Sequence, residues 1–137
     1  MSKLAAPRHV LLDTSVLIDY TDVRSTLPDE AEAAISAVSL AELAAGLHST
    51  RDPINQARRQ LRFQWVAKSF NPLAFDAETA NVYGSLAFLI DQIGRKPRGR
   101  IADLQIAATA VQHSLPLYTR NPHDFKGLEP LLNVVAV

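Results

Sequence analysis

The stretch His9 to Tyr20, HVLLDTSVLIDY, constrains this chain more than any other. An apolar run, Val10-Leu11-Leu12, stops at Asp13, and Thr14 and Ser15 open a second run, Val16-Leu17-Ile18. The first run is too short for a helix and fits a buried strand. The second begins on the small hydroxyl residues that start helices. A carboxylate where a buried strand passes into a helix lies at the carboxyl edge of the sheet, where ligands bind in open α/β folds.

The remaining chain keeps the alternation. Ala34 to Val38 reads as a second strand, and Ser39-Leu40-Ala41-Glu42 opens a helix ending near Leu47. Thr21 to Pro28 is polar and turn-like, with Pro28-Asp29-Glu30 suited to the first turn of a short helix. Asp52-Pro53 starts a helix to Val66 with Ile54, Ala57, Leu61 and Trp65 close to helical spacing, and its other face carries Arg51, Arg58, Arg59, Arg62 and Lys68. Phe70 to Phe75, broken by Pro72, fits an edge strand or extended connection. Asp76 caps a helix over Ala77–Ile93, and Ile101–His113 is an alanine-dense helix. Pro116–Thr119 is a strand, Asn121–Phe125 a turn or short helix, and Asn133–Val137 a last strand. This order predicts an α/β fold, a three-layer α/β/α sandwich around a mostly parallel sheet. No boundary or repeat interrupts it, so residues 1–137 read as one domain, long enough to bury about two thirds of its unfolded surface.

Composition removes several classes of function. Without cysteine there is no disulfide framework and no thiolate chemistry. No apolar run approaches the ~20 residues that span a bilayer, and MSKLAAPRHV lacks a signal-peptide core, so a cytoplasmic protein without a membrane partner is expected. Lys and Arg match Asp and Glu at 14 each, which argues against a general polyanion coat but leaves room for a local basic strip.

Four acids carry the functional reading. Asp13 follows the first strand, and Glu42 falls in the first turn after the second. Asp103 lies in the first turn of the alanine-rich helix, on a stripe with Ile106, Ala107 and Ala110, and Asp124 follows the Pro116–Thr119 strand. Each also has a plainer explanation. Ser39-x-x-Glu42 matches a capping box, Asp13 fits an N-cap, and Asn121-Pro122-x-Asp124 fits an N-cap, a proline and an acid favourable to the helix dipole. Asp103 has the weakest such explanation, lacking a Ser or Thr three residues before it. If the four converge, two carboxylates ~4 Å apart repel by about 4 kcal/mol at an effective dielectric near 20, so a cation must sit between them. An all-oxygen set without histidine or cysteine selects Mg²⁺, with Mn²⁺ as substitute, over zinc. Such an ion polarises a phosphoryl oxygen and lowers the pKa of an attacking water. Thr14, Ser15, Thr119 and Asn121 add neutral oxygens at the same edge, suited to orienting substrate or ligands.

Asp13-Thr14-Ser15 after an apolar strand, ISAVSLAEL bearing Glu42, RIADLQIAATA bearing Asp103, and YTRNPHDF together resemble the PIN domain. More narrowly, they resemble the VapC-type toxins of bacterial and archaeal toxin–antitoxin pairs. The resemblance covers nearly the whole chain, in order and at similar spacing. It implies a metal-dependent endoribonuclease, inhibited by a cognate VapB-like antitoxin and usually a homodimer, with Asp13, Glu42 and Asp103 as the core acidic ligands. Some members place a fourth acid two residues after the threonine matching Thr119, where this chain has Asn121; others place it where Asp124 stands. Asp124 is the favoured outer or second-metal ligand, with Asn121 as a polar helper.

Within this reading Arg95-Lys96-Pro97-Arg98-Gly99-Arg100 leads directly into Asp103, and Arg98 and Arg100 are the preferred contacts to RNA phosphates. The face carrying Arg58, Arg59 and Arg62 could also grip RNA phosphates, but it fits a solvated helix face at least as well. Trp65, Phe63 and Phe70 fit core or dimer surface better than a base-stacking platform. Two rival readings remain. A phospho-receiver would also gather acids and Mg²⁺ at a sheet edge, and a catalytically silent PIN-like module would only bind a partner, with Asn121 marking a decayed site.

Overall fold

The computed structural model describes residues 9–137; apart from His9 and Val10, the amino-terminal stretch read for a signal peptide lies outside the described residues. Five strands, β1 (Val10–Leu12), β2 (Ala33–Ser36), β3 (Pro72–Leu73), β4 (Leu117–Thr119) and β5 (Val134–Ala136), pair in parallel throughout in the order β3-β2-β1-β4-β5. The chain builds outward from β1 to β3, then returns to β1's other flank for β4. The crevice outside the carboxyl ends of β1 and β4 is therefore the topological switch point, where such sheets bind ligands. This order also differs from the 2-1-3-4-5 order of receiver domains, which removes the phospho-receiver reading.

Alternation along the strands divides the core between two helical layers. Leu11 and Leu117 face α5 (Ala77–Gln92) and α6 (Ile101–Gln112), packing with Leu86, Ile90, Leu104 and Ile106. Val10, Leu12 and Ile35 face the opposite way, against α1 (Thr14–Ile18), α3 (Ala37–Gly46) and α4 (Pro53–Ser69), through Val16, Leu17, Leu43 and Val66. Trp65 joins this second layer, its ring 4.7 Å from Tyr20 and 5.5 Å from Phe70. No helix among the described residues is long and apolar enough to cross a membrane.

Several boundaries differ from the sequence expectation. β2 ends and α3 begins earlier, because Ser36 takes the N-cap: its backbone is extended (φ −85°, ψ 146°) and its hydroxyl accepts from the Val38 N–H at 3.0 Å. The Ser39-Glu42 capping box therefore does not form, and Glu42 stands in the middle of α3 rather than in its first turn. The polar segment after α1 holds α2 (Tyr20–Val23) and a 3₁₀ turn (Arg24–Thr26), and the helix expected at Pro28 is a 3₁₀ turn over Glu30–Glu32. α4 runs on to Ser69.

One long-range clasp sets the direction of α5 and α6. Asp76 caps α5 as expected, forming a capping box with Thr79, and both also bond the Gln112 side chain at the end of α6. The helices are thus antiparallel, and the turn between them, with Asp103 just after it, lies at the far end. That end meets the segment following β4, where Arg95 donates to the Lys126 carbonyl at 2.7 Å.

Gly127 closes this segment with φ +100°, a conformation that glycine alone adopts freely, and a Cβ there would run into the Ile93 side chain. Gly127→Ala should lower unfolding stability by about 1–3 kcal/mol in urea titration; an unchanged midpoint would show that the turn relaxes without strain.

Candidate active site

Asp13 ends β1 and is 5% exposed. Its carbonyl starts α1 by accepting from the Val16 N–H at 3.0 Å, but its carboxylate caps nothing. Instead Oδ2 accepts from the Ser15 hydroxyl at 2.7 Å and from the Thr119 hydroxyl at 2.8 Å. Those hydroxyls accept in turn from the backbone N–H groups of Arg120 (3.1 Å) and Asn121 (2.9 Å). A buried charge is thereby held by polar groups from β1 and β4 together, which satisfies one oxygen. Among the described residues no donor reaches the other oxygen, Oδ1.

Thr14 fixes the second acid. Its hydroxyl donates to Glu42 Oε1 at 2.6 Å and lies 2.9 Å from the hydroxyl of Ser39, which is fully buried. Ser39 was not among the expected site residues. Its signal was there, because Ser39 and Glu42 are three residues apart on one helix face, but the pair reads as a cap when α3 is started too late.

Asp103 stands half-buried in the first turn of α6 with no hydrogen bond or ion pair among the described residues. Its pKa is pushed up to about 6, first by desolvation and then by the negative charges of Asp124, Asp13 and Glu42, with the Arg100 guanidinium opposing them. That pattern is the electrostatic signature of convergence: each of the other three acids lies near enough to repel the same carboxylate. The plainer capping readings fail as hydrogen bonds at Asp13 and Glu42. Asn121 precedes the 3₁₀ turn Pro122–Phe125, but its side chain does not cap it either.

The basic segment Arg95–Arg100 is folded back on itself and partly engaged. Pro97–Arg100 is a 3₁₀ turn, and Arg100 Nη1 lies 3.4 Å from Asp124 Oδ1 and 3.3 Å from the Asp124 carbonyl. Arg100, expected as a substrate contact, is thus committed to Asp124, while Arg98 is exposed. Asn121 contributes its backbone N–H to the Thr119 hydroxyl, and its side chain is exposed without a partner among the described residues.

As the side chains stand, no three His, Cys, Asp or Glu groups among the described residues are grouped tightly enough to hold a metal ion. The donor set nevertheless fits a hard divalent cation. It offers only oxygens, one of them an unpartnered oxygen on a buried carboxylate, and it carries mutual repulsion that a cation would relieve.

The PIN domain family model matches residues 10–128. Ribonuclease VapC4 of Mycobacterium tuberculosis is 33% identical over 134 residues, spanning 95% of this chain and 98% of that protein. Ribonuclease VapC of Rickettsia bellii is 33% identical over 135 residues, spanning 93% and 96%. The crystal structure of VapBC-5 from Mycobacterium tuberculosis, a member of the VapBC family of toxin–antitoxin systems, superposes with a TM-score of 0.79 at 32% identity, covering 96% of this chain and 98% of that one.

The raised pKa of Asp103 has a defined pH signature. Its folded value lies above the ordinary 3.8, so the cost of its charge is fully present above about pH 6 and is relieved as pH falls from about 6 toward 4. In EDTA, Asp103→Asn should melt about 3–5 °C higher than the parent at pH 7.5, about 1 kcal/mol after discounting for solvent screening of a half-buried group. At pH 4.5 most of that advantage should vanish. A variant less stable than the parent at pH 7.5 would mean that the charge is already compensated.

Proposed function

The chain belongs to the PIN domain family, and from that premise we propose that it is a Mg²⁺-dependent endoribonuclease, with Mn²⁺ as substitute, and the toxin of a VapBC-type toxin–antitoxin pair. The observation that carries the reading is the convergence of Asp13, Glu42, Asp103 and Asp124 on one sheet edge, registered in the raised pKa of Asp103. The relatives named Ribonuclease VapC, alike over nearly the whole chain, support the choice of RNA as substrate. The VapBC-5 structure supports a VapB-like antitoxin as partner. A homodimer is the assembly expected of the family.

Asp13, Glu42 and Asp103 are the residues that would hold the ion, with Asp124 as the outer ligand. The bound ion would supply Lewis-acid polarisation of the phosphoryl group and a water acidified enough to attack it. The chain's own residues do the positioning. Ser15 and Thr119 lock the Asp13 carboxylate in one rotamer and leave Oδ1 free for a cation. Thr14 holds Glu42 by one oxygen and leaves Oε2 free in the same way. Asp103, protonated more readily than an ordinary carboxyl, must lose its proton to act as a ligand, so activity should rise as pH passes above about 6. Arg100 pairs with Asp124 at the rim.

Cleavage of a mixed cellular RNA pool by the purified toxin, freed of antitoxin, tests the proposal. Mn²⁺ or Mg²⁺ should support internal cleavage and EDTA should abolish it. Asp13→Asn and Asp103→Asn should each lose at least a hundredfold in rate, while circular dichroism shows an intact fold. Thr14→Val should lose about tenfold, because Glu42 is then unanchored. A chain that binds antitoxin but cleaves no RNA with either metal would establish the silent-module reading instead.

A further inference from the structure

Between α1, α3 and α4 the surface sinks into a cavity of about 380 Å³ that runs on from the acid cluster. Glu42 of that cluster and Thr14, which holds it, line the cavity, with Ile18 of α1 and Gly46 of α3. From α4 come two arginines, Arg59 and Arg62, one turn apart on the same helix face. They differ in how they are employed. Arg59 Nη1 donates to the Gly46 carbonyl at 2.8 Å and to the Ser49 hydroxyl, so its guanidinium is pinned against the carboxyl end of α3. Arg62 is half-buried, and among the described residues it makes no hydrogen bond and no ion pair. Its guanidinium carries N–H donors that line the cavity with no acceptor among the described residues. Glu42 shares the cavity, yet neither arginine pairs with it.

We propose that this cavity is a phosphate subsite for single-stranded RNA, taking a backbone phosphate adjacent to the one cleaved, with Arg62 as the recruiting cation and Arg59 as a fixed second donor. The inference rests on the ribonuclease reading and adds to it where the strand lies. The acid cluster occupies the carboxyl edge of the sheet. Arg100 reaches that edge from the α5–α6 layer through Asp124, whereas Arg59 and Arg62 reach it from the α3–α4 layer on the opposite face. A strand crossing the edge meets basic residues on both sides of the acids. Of these, Arg100 is already held by Asp124, and Arg62 is the half-buried one left unpaired. The shared residues, Thr14 and Glu42, favour a polyanion whose chain continues over the acids, where a metal ion would offset their charge. An isolated acidic group arriving here would meet the Glu42 carboxylate uncompensated. Arginine also suits the task, because its planar fork matches two phosphate oxygens at once.

Binding of a fluorescein-labelled single-stranded RNA oligonucleotide to the purified full chain, with Ca²⁺ in place of Mg²⁺ so that the acids are compensated while cleavage is slow, over a salt series, tests the proposal. Arg62→Gln should bind about tenfold more weakly at low salt. The slope of log affinity against log salt should flatten by about 0.7, the loss of one single-strand phosphate contact. Arg62→Lys should keep the slope and lose part of the affinity. Arg62→Met, which retains the aliphatic stem, should repeat the Gln result and so exclude a packing effect. In steady-state cleavage the Gln variant should raise KM with kcat unchanged. Equal affinity and slope in parent and Arg62→Gln, with cleavage by the parent intact, would overturn the subsite alone. Weaker capture of the antitoxin with RNA binding untouched would assign the cavity to that protein and likewise overturn the proposal. A parent chain that neither binds nor cleaves RNA would instead overturn the ribonuclease reading beneath it.

Discussion

Like-charged carboxylates gathered on one edge of a parallel sheet are the constraint that the rest of this structure answers. Asp103 bears the cost, its carboxyl pushed up to about 6 by burial and by three negative neighbours. The fold tolerates this by giving the acids polar partners one at a time. Asp13 receives two hydroxyl donors, Glu42 one, and Asp124 the Arg100 guanidinium. Asp103 alone receives no such partner among the described residues. It is the member with most to gain from a divalent ion.

The topology explains why the acids meet at all. β1 and β4 are neighbours although more than a hundred residues separate Asp13 from Thr119, and the hydroxyl of one holds the carboxylate of the other. Helices α5 and α6 are tied at their outer ends by Asp76, Thr79 and Gln112, which turns the start of α6 back toward the same edge. α3 enters from the opposite face, so the cluster is assembled from both helical layers. No single segment owns the site, and losing the register of any one of them would disperse it.

Much of this was legible in the chain because it is written locally. The abrupt end of an apolar strand at Asp13, the capped start of α5 at Asp76, and an acid on the inward stripe of α6 are patterns within a few residues. The strand and helix order likewise followed from apolar runs and their spacing. What stayed hidden depends on contacts far apart in sequence. Glu42, read as a ligand, also fitted half of a capping box because Ser39 stood three residues before it. Ser36 takes that task, and Ser39 is drawn instead to Thr14, 25 residues away. Arg100 read as a free phosphate contact because its partner, Asp124, lies 24 residues on. The arginines of α4 fitted a solvated face at least as well as a phosphate grip, since nothing local shows that Arg62 is half-buried and lines a cavity with Glu42.

Proton release on metal binding tests the central claim most directly. If the four acids share one pocket that a cation makes tolerable, Mn²⁺ must displace the proton that Asp103 retains near pH 6. Calorimetric titration of the metal-free protein at pH 6.0, in two buffers of different ionisation enthalpy, should show Mn²⁺ uptake with release of roughly half a proton. At pH 7.5 that release should fall toward zero, and in Asp103→Asn it should be absent at both pH values. Mn²⁺ binding with no difference between the buffers, or no uptake at all, would contradict the account.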